Sequence, residues 1–137
     1  MMYSLSFVLL VGAVSGHIVT PIPVMKTDPG VRYNVTSAGA PVRLDVMLES
    51  ICPDSATAWT ELQQTANYYG SDKLDLVIYN FQLPYDRWGH LCAMGFYTIV
   101  DQQGNEKGFS YMERLFSVYD SYSSDSTEDK SHIQMLE

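Results

Sequence analysis

The sequence is poor in cysteine and in positive charge. Only two cysteines, Cys52 and Cys92, occur in 137 residues, which excludes a disulfide-dense scaffold and a cysteine-built zinc site. Eight Lys and Arg face sixteen Asp and Glu, for a net charge of -8 and a pI of about 4.6. The eight are scattered, so no basic face exists to hold a nucleic acid or an anionic membrane. The three histidines, His17, His90 and His132, are too far apart to suggest a metal set. A Gly-rich phosphate loop and a G-x-S-x-G elbow are also missing, and no motif calls for a cofactor. What remains, 46% hydrophobic and 18% charged residues, suits one globular domain.

Long hydrophobic runs are scarce too. Residues 5–14 are mostly apolar, shorter than the ~20 residues that cross a bilayer. Val14, Ser15 and Gly16 supply small residues for cleavage before His17, so residues 1–16 read as an export signal, although no basic residue precedes Lys26. The mature chain is then expected to be secreted or to lie in the endoplasmic reticulum lumen, without a membrane span. In that setting Asn34-Val35-Thr36 becomes a glycosylation sequon with Asn34 as acceptor.

Residues 17–41 carry Pro21, Pro23, Pro29, Gly30, Gly39 and Pro41 without helical or strand periodicity and read as an extended leader. A domain is expected over 42–119, followed by a polar acidic tail over 120–137. Val42, Leu44, Val46 and Leu48 alternate with Arg43, Asp45, Met47 and Glu49. That period of two predicts a strand with one face buried and Asp45 and Glu49 solvated on the other. A helix should follow, with Pro53 in its first turn, Asp54 at the positive end of the dipole, Trp59, Leu62, Ala66 and Tyr69 on its apolar face, and Gly70 as C-cap. "LDLVIYNF" over 74–81 reads as a second strand. Strand, helix and strand make a parallel βαβ unit. A further helix is predicted from Asp86, its N-cap candidate, through Val100, with Gly89 and Gly95 allowing close packing. "DQQGNEKG" reads as a polar break and 109–119 as an amphipathic helix.

This arrangement puts Cys52 at the carboxyl end of a strand and at the N-cap of a helix, the edge where α/β folds gather reactive groups. Free thiols ionise near ~8.5, and unpaired helix N–H groups favour the thiolate, while Asp54 opposes it. Ser55 occupies the place where a C-x-x-C motif would hold its second thiol. Serine cannot release a mixed disulfide, so Cys52 would need an external thiol. Cys92 is the internal alternative: in an oxidising compartment it could pair with Cys52, approach the site as a second thiol, or be buried. His90 could partner a cysteine, but no third orienting residue is visible. The bland reading of Cys52, a small buried hydrophobe beside ordinary capping residues, stands beside the reactive one.

"VRLDVMLESICPDSATAWTELQQTANYYG" followed by "LDLVIYNFQLPYDRWGHLCAMGFYTI" resembles the DsbA-like branch of the thioredoxin fold. The "ICPD" segment is also similar to the gamma-interferon-inducible lysosomal thiol reductases, whose motif has a second cysteine. The resemblance implies an incomplete thioredoxin-like α/β fold in which a parallel βαβ unit precedes a helical insertion. It implies Cys52 as nucleophile, Pro53 and Asp54 as the pair shaping the site, and Ser55 in the resolving position. The family's cis-proline loop, its two antiparallel strands and its last helix have no counterpart, so the chain reads as C-terminally truncated. The expected function is thiol–disulfide exchange through mixed disulfides with protein or glutathione thiols at a monothiol CxxS site. The alternative is a redox-inactive binding or chaperone module of the same fold.

Overall fold

The computed structural model describes residues 27–122, 124–131 and 133–135. The expected export signal, His17 and His132 lie outside them. Three strands form one sheet: β1 (Val31–Arg32), β2 (Val42–Leu48) and β3 (Leu74–Asn80), in the order β1-β3-β2. β2 and β3 run parallel, with Val42 beside Leu74 and Leu48 beside Asn80. They are joined by the helix α1 (Pro53–Tyr69), so the βαβ unit is present as expected.

β1 lies inside the segment read as an aperiodic leader. It pairs antiparallel with β3, Val31 opposite Ile78, and two residues are too few to show a period. Its anchor is polar. Arg32 Nε and the Ser37 hydroxyl both donate to the buried Asp75 carboxylate, at 3.1 and 2.7 Å.

Because β3 lies between two strands, all its residues but Tyr79 are buried, Asp75 and Asn80 included. Among the described residues β2 is an edge strand, and it departs from expectation. Val42 and Leu44 belong to the face that alternation assigns to the core, yet they are 57% and 37% exposed. Only Val46 and Leu48 reach the main core.

After a turn come α2 (Gly89–Gln103), α3 (Asn105–Phe116) and a one-turn helix α4 (Ser124–Thr127). Asp86 does not cap α2. Its carbonyl accepts from the Gly89 N–H across a turn, and Trp88 takes the cap position. The "DQQGNEKG" stretch is not a loop either. α2 runs through Gln103, and Gly104 alone, at φ 89°, reverses the chain into α3. A positive φ costs glycine nothing, so one residue suffices where a polar run suggested several. Tyr111 lies against Gly95, which brings α2 and α3 close.

The main core unites Leu48, Leu76 and Ile78 from the sheet with Trp59 from α1 and Phe96, Phe109, Met112 and Phe116 from the helical pair. Trp59 stacks on Phe109 at 5.3 Å, and its indole N–H donates to Glu113 at 3.1 Å. Tyr69, expected on that helix face, is half exposed. A second, smaller cluster holds Ile51, Trp88, Cys92 and Leu115. The tail folds over it, and the buried Thr127 hydroxyl accepts from the Trp88 indole at 2.7 Å. Among the described residues, no helix is long and apolar enough to cross a membrane.

Candidate functional site

Cys52 stands where the sequence places it, just past β2 and at the N-cap of α1. Its backbone is extended (φ −89°, ψ 125°) and its carbonyl accepts the first helical bond from the Ala56 N–H at 3.0 Å. The thiol makes no capping hydrogen bond and is partly exposed. Pro53 begins the helix and Asp54 lies in its first turn. The proline needs no partner for an N–H it lacks, and its fixed φ suits the first helical turn.

Ser55 is buried, and its hydroxyl points away from the role considered for it. It accepts from the Glu49 N–H at 3.1 Å, tying the first turn of α1 to the end of β2. The Cys52 N–H in turn donates to the Glu49 carbonyl at 3.2 Å. The cysteine is thus held by a short turn that closes on both sides of Glu49.

Glu49 corrects the sequence reading. It was expected to be solvated and is only 2% exposed. Strand alternation stops at Leu48, and the turn that follows directs the Glu49 side chain inward. Its Oε1 accepts from the Leu83 N–H at 2.8 Å and sits against Gly89, where a β-carbon would collide with it. Burial, and then the adjacent Asp86 carboxyl, pushes Glu49 up to about 8, against the opposing pull of the Leu83 N–H. Glu49 is therefore biased toward its protonated form. Among the described residues Oε2 finds no hydrogen-bond partner, which a carboxyl that holds its proton tolerates better than a carboxylate does. Only the glycine at 89, at the first position of α2, could have hinted at this in the sequence. Asp45 does remain exposed, paired with Arg43 at 2.8 Å.

A cleft of about 290 Å³ opens at Cys52. Ile51, Pro53 and Asp54 form one side, Tyr85 and Asp86 another, and Tyr119, Asp120 and Tyr122 the third. Its walls are acidic and aromatic. The three tyrosines carried no separable signal in a sequence with ten of them.

Cys92 does not line this cleft. Both cysteines are free thiols, and Cys92 is buried with Ile51, Trp88 and Leu115. Burial, with a contribution from Glu49, pushes its thiol up to about 11. His90 is exposed, its Nδ1 3.2 Å from Gln82 Oε1, and is absent from the cleft wall. Asn34 is exposed at the head of the 3₁₀ turn Val35–Ser37, where its Oδ1 accepts from the Thr36 N–H and hydroxyl. No group of His, Cys, Asp and Glu among the described residues could hold a metal ion.

A solved structure from Pseudomonas syringae, described provisionally as a protein-disulfide isomerase, superposes on this chain with a TM-score of 0.65 at 17% identity. The fold is thioredoxin-like. The match covers 71% of this chain and 57% of that one, so the chain spans a little over half the length of this relative. No family model and no curated protein matches the sequence. The likeness bears out the expected α/β, partial thioredoxin-like fold class.

Proposed function

We propose that Cys52 is the nucleophile of a monothiol thiol–disulfide exchange site, in a protein of the DsbA-like kind that works in the secretory lumen or outside the cell. The observation that carries this reading is an uncommitted, partly exposed thiol at the mouth of α1, opening on a cleft. In the reaction, the Cys52 thiolate attacks one sulfur of a disulfide R–S–S–R. A Cys52–S–S–R bond forms, the R–S–S–R bond breaks, and R–S⁻ leaves and takes a proton from water. Ser55 cannot complete the cycle. A second thiolate R′–S⁻ attacks the mixed disulfide, forms R–S–S–R′ and returns Cys52 as thiolate. Asp54, Asp86 and Asp120 around the cleft favour protein disulfides flanked by basic or aromatic residues over glutathione, which carries two carboxylates.

The test is to incubate the protein with oxidised glutathione or a basic disulfide peptide and to map adducts by mass spectrometry. We expect adducts on Cys52, faster with the peptide, and reversed by added thiol. Ser55→Cys should then confer dithiol reductase activity on a folded protein. A Cys52 that reacts no faster than a model thiol at pH 7 overturns the reading. It would favour a redox-inactive binding module, which the tyrosine-walled cleft also suits.

A further inference from the structure

The sequon meets a groove in the fold. Asn34-Val35-Thr36 is the one N-x-S/T in the chain. The Asn34 Oδ1 is occupied by the Thr36 N–H and hydroxyl, so the side-chain amide is held by its oxygen. Its Nδ2, the atom to which a sugar attaches, makes no hydrogen bond among the described residues. A groove of about 640 Å³ begins at this residue, within the ~300–1,000 Å³ of small-ligand sites. Half-buried Tyr33 and buried Phe109 form its floor, edge to face at 5.7 Å. Gln63 and Asn67 of α1 supply one wall, and Glu106, Ser110 and Glu113 of α3 another. No Lys or Arg lines it. The described chain enters elsewhere. Asp28 accepts from Arg43 and Tyr79 at 2.6 and 2.8 Å, on the sheet face opposite the one that carries Leu76 and Ile78 into the core.

We propose that Asn34 carries an N-linked glycan whose first sugars lie in this groove. This rests on the lumenal location proposed for the chain and not on the reactivity of Cys52. The lining selects the occupant. Side-chain amides both donate to and accept from sugar hydroxyls, and carboxylates accept from them. The C–H face of a sugar ring packs on an aromatic face, which Tyr33 supplies. Glu106 and Glu113, with no cation beside them in the groove, repel phosphates and other anions. The first sugars of an N-linked glycan are uncharged and escape that repulsion. Attachment is a group transfer from an oligosaccharide linked to a lipid diphosphate. The Asn34 Nδ2 attacks the anomeric carbon and an N–C bond forms. The C–O bond to the diphosphate breaks, the lipid diphosphate leaves with that oxygen, and the amide gives one proton to solvent.

The full chain is translated with endoplasmic reticulum microsomes and then made in secretory eukaryotic cells. Protease protection reports entry, and peptide N-glycosidase reports sugar as a loss of mass. We expect a protected chain that loses mass, and an Asn34→Gln chain that is protected and loses none. The same cells, with assembly of the lipid-linked oligosaccharide inhibited, supply sugar-free chain. The sugar-bearing chain should show an unfolding constant in urea at least ~5-fold lower, because tethered sugars bind the folded groove and not the unfolded chain. Asn67→Trp and Ser110→Tyr add bulk to the groove at exposed positions. Each should keep its sugar and lose that ~5-fold difference. Circular dichroism reports whether each variant is folded, and one folded variant suffices. A protected chain without sugar overturns the proposal and leaves thiol exchange at Cys52 untouched. An unprotected chain overturns both the glycan and the lumenal location. Sugar without the stability difference also overturns the proposal, as does a difference that survives in a folded groove variant.

Discussion

The two thiols share a sheet end and a neighbour, Ile51, but little else. Cys52 sits in a turn with nothing bonded to its sulfur, facing a cleft. Cys92 sits one turn into α2, walled in by Trp88 and Leu115. The first is placed by backbone geometry, the second by side-chain packing. Reactivity follows the first kind of placement, because a thiolate needs solvent, dipoles and access, and a packed interior supplies none of them.

The sharpest way to break this contrast is alkylation of the native protein. With its thiol pushed up to about 11, Cys92 is a thiolate in roughly one molecule in ten thousand at pH 7. We expect Cys52 to be modified at least ~100-fold faster, with Cys92 reached only when the second cluster opens. Equal rates would show that the clusters are not packed as described. A peptide map of time points reads both sites in one experiment.

A smaller effect comes from Glu49, which lies between the thiols. A carboxyl raised in the folded state binds its proton more tightly there than in the unfolded chain. Its contribution is full below the unfolded value near ~4.3 and fades as pH climbs towards about 8. Glu49→Gln mimics the protonated form, with an amide to donate to Asp86 and an oxygen for the Leu83 N–H. Unfolding free energies from urea titration should therefore fall less between pH 5 and 8 in the variant, by on the order of 3 kcal/mol. Parallel pH profiles would mean that Glu49 is ionised in place.

The mildest change is Ser55→Ala. It removes the acceptor for the Glu49 N–H and should cost about 1 kcal/mol in chemical denaturation. Adduct formation at Cys52 should continue, because the hydroxyl is engaged by the Glu49 N–H. Loss of the adduct in a folded Ser55→Ala protein would give the serine a chemical part that its geometry does not suggest.

Much of this was legible in the residues. Period-two alternation located β2, Pro53 and Asp54 marked the start of α1, Gly70 marked its end, and the order of elements placed Cys52 at the strand–helix junction. The failures share a cause: each concerns a partner distant in sequence. Alternation shows that β2 has two faces, but not that Val42 and Leu44 are left exposed. β1 is too short to show a period and exists because β3 offers it a ladder. Glu49 continued the polar face on paper, yet the strand ended one residue earlier and the turn carried it inside. Gly104 carried the α2–α3 reversal alone, where a polar stretch suggested a loop.

The division of the interior into two clusters has a practical result. The chain has two tryptophans, and each cluster holds one: Trp59 stacked on Phe109, and Trp88 beside Cys92. Replacing either with phenylalanine leaves a single fluorophore in a known location. Stopped-flow emission can then time the loosening of each half separately, and show whether the floor beneath the cleft gives way before the sheet does.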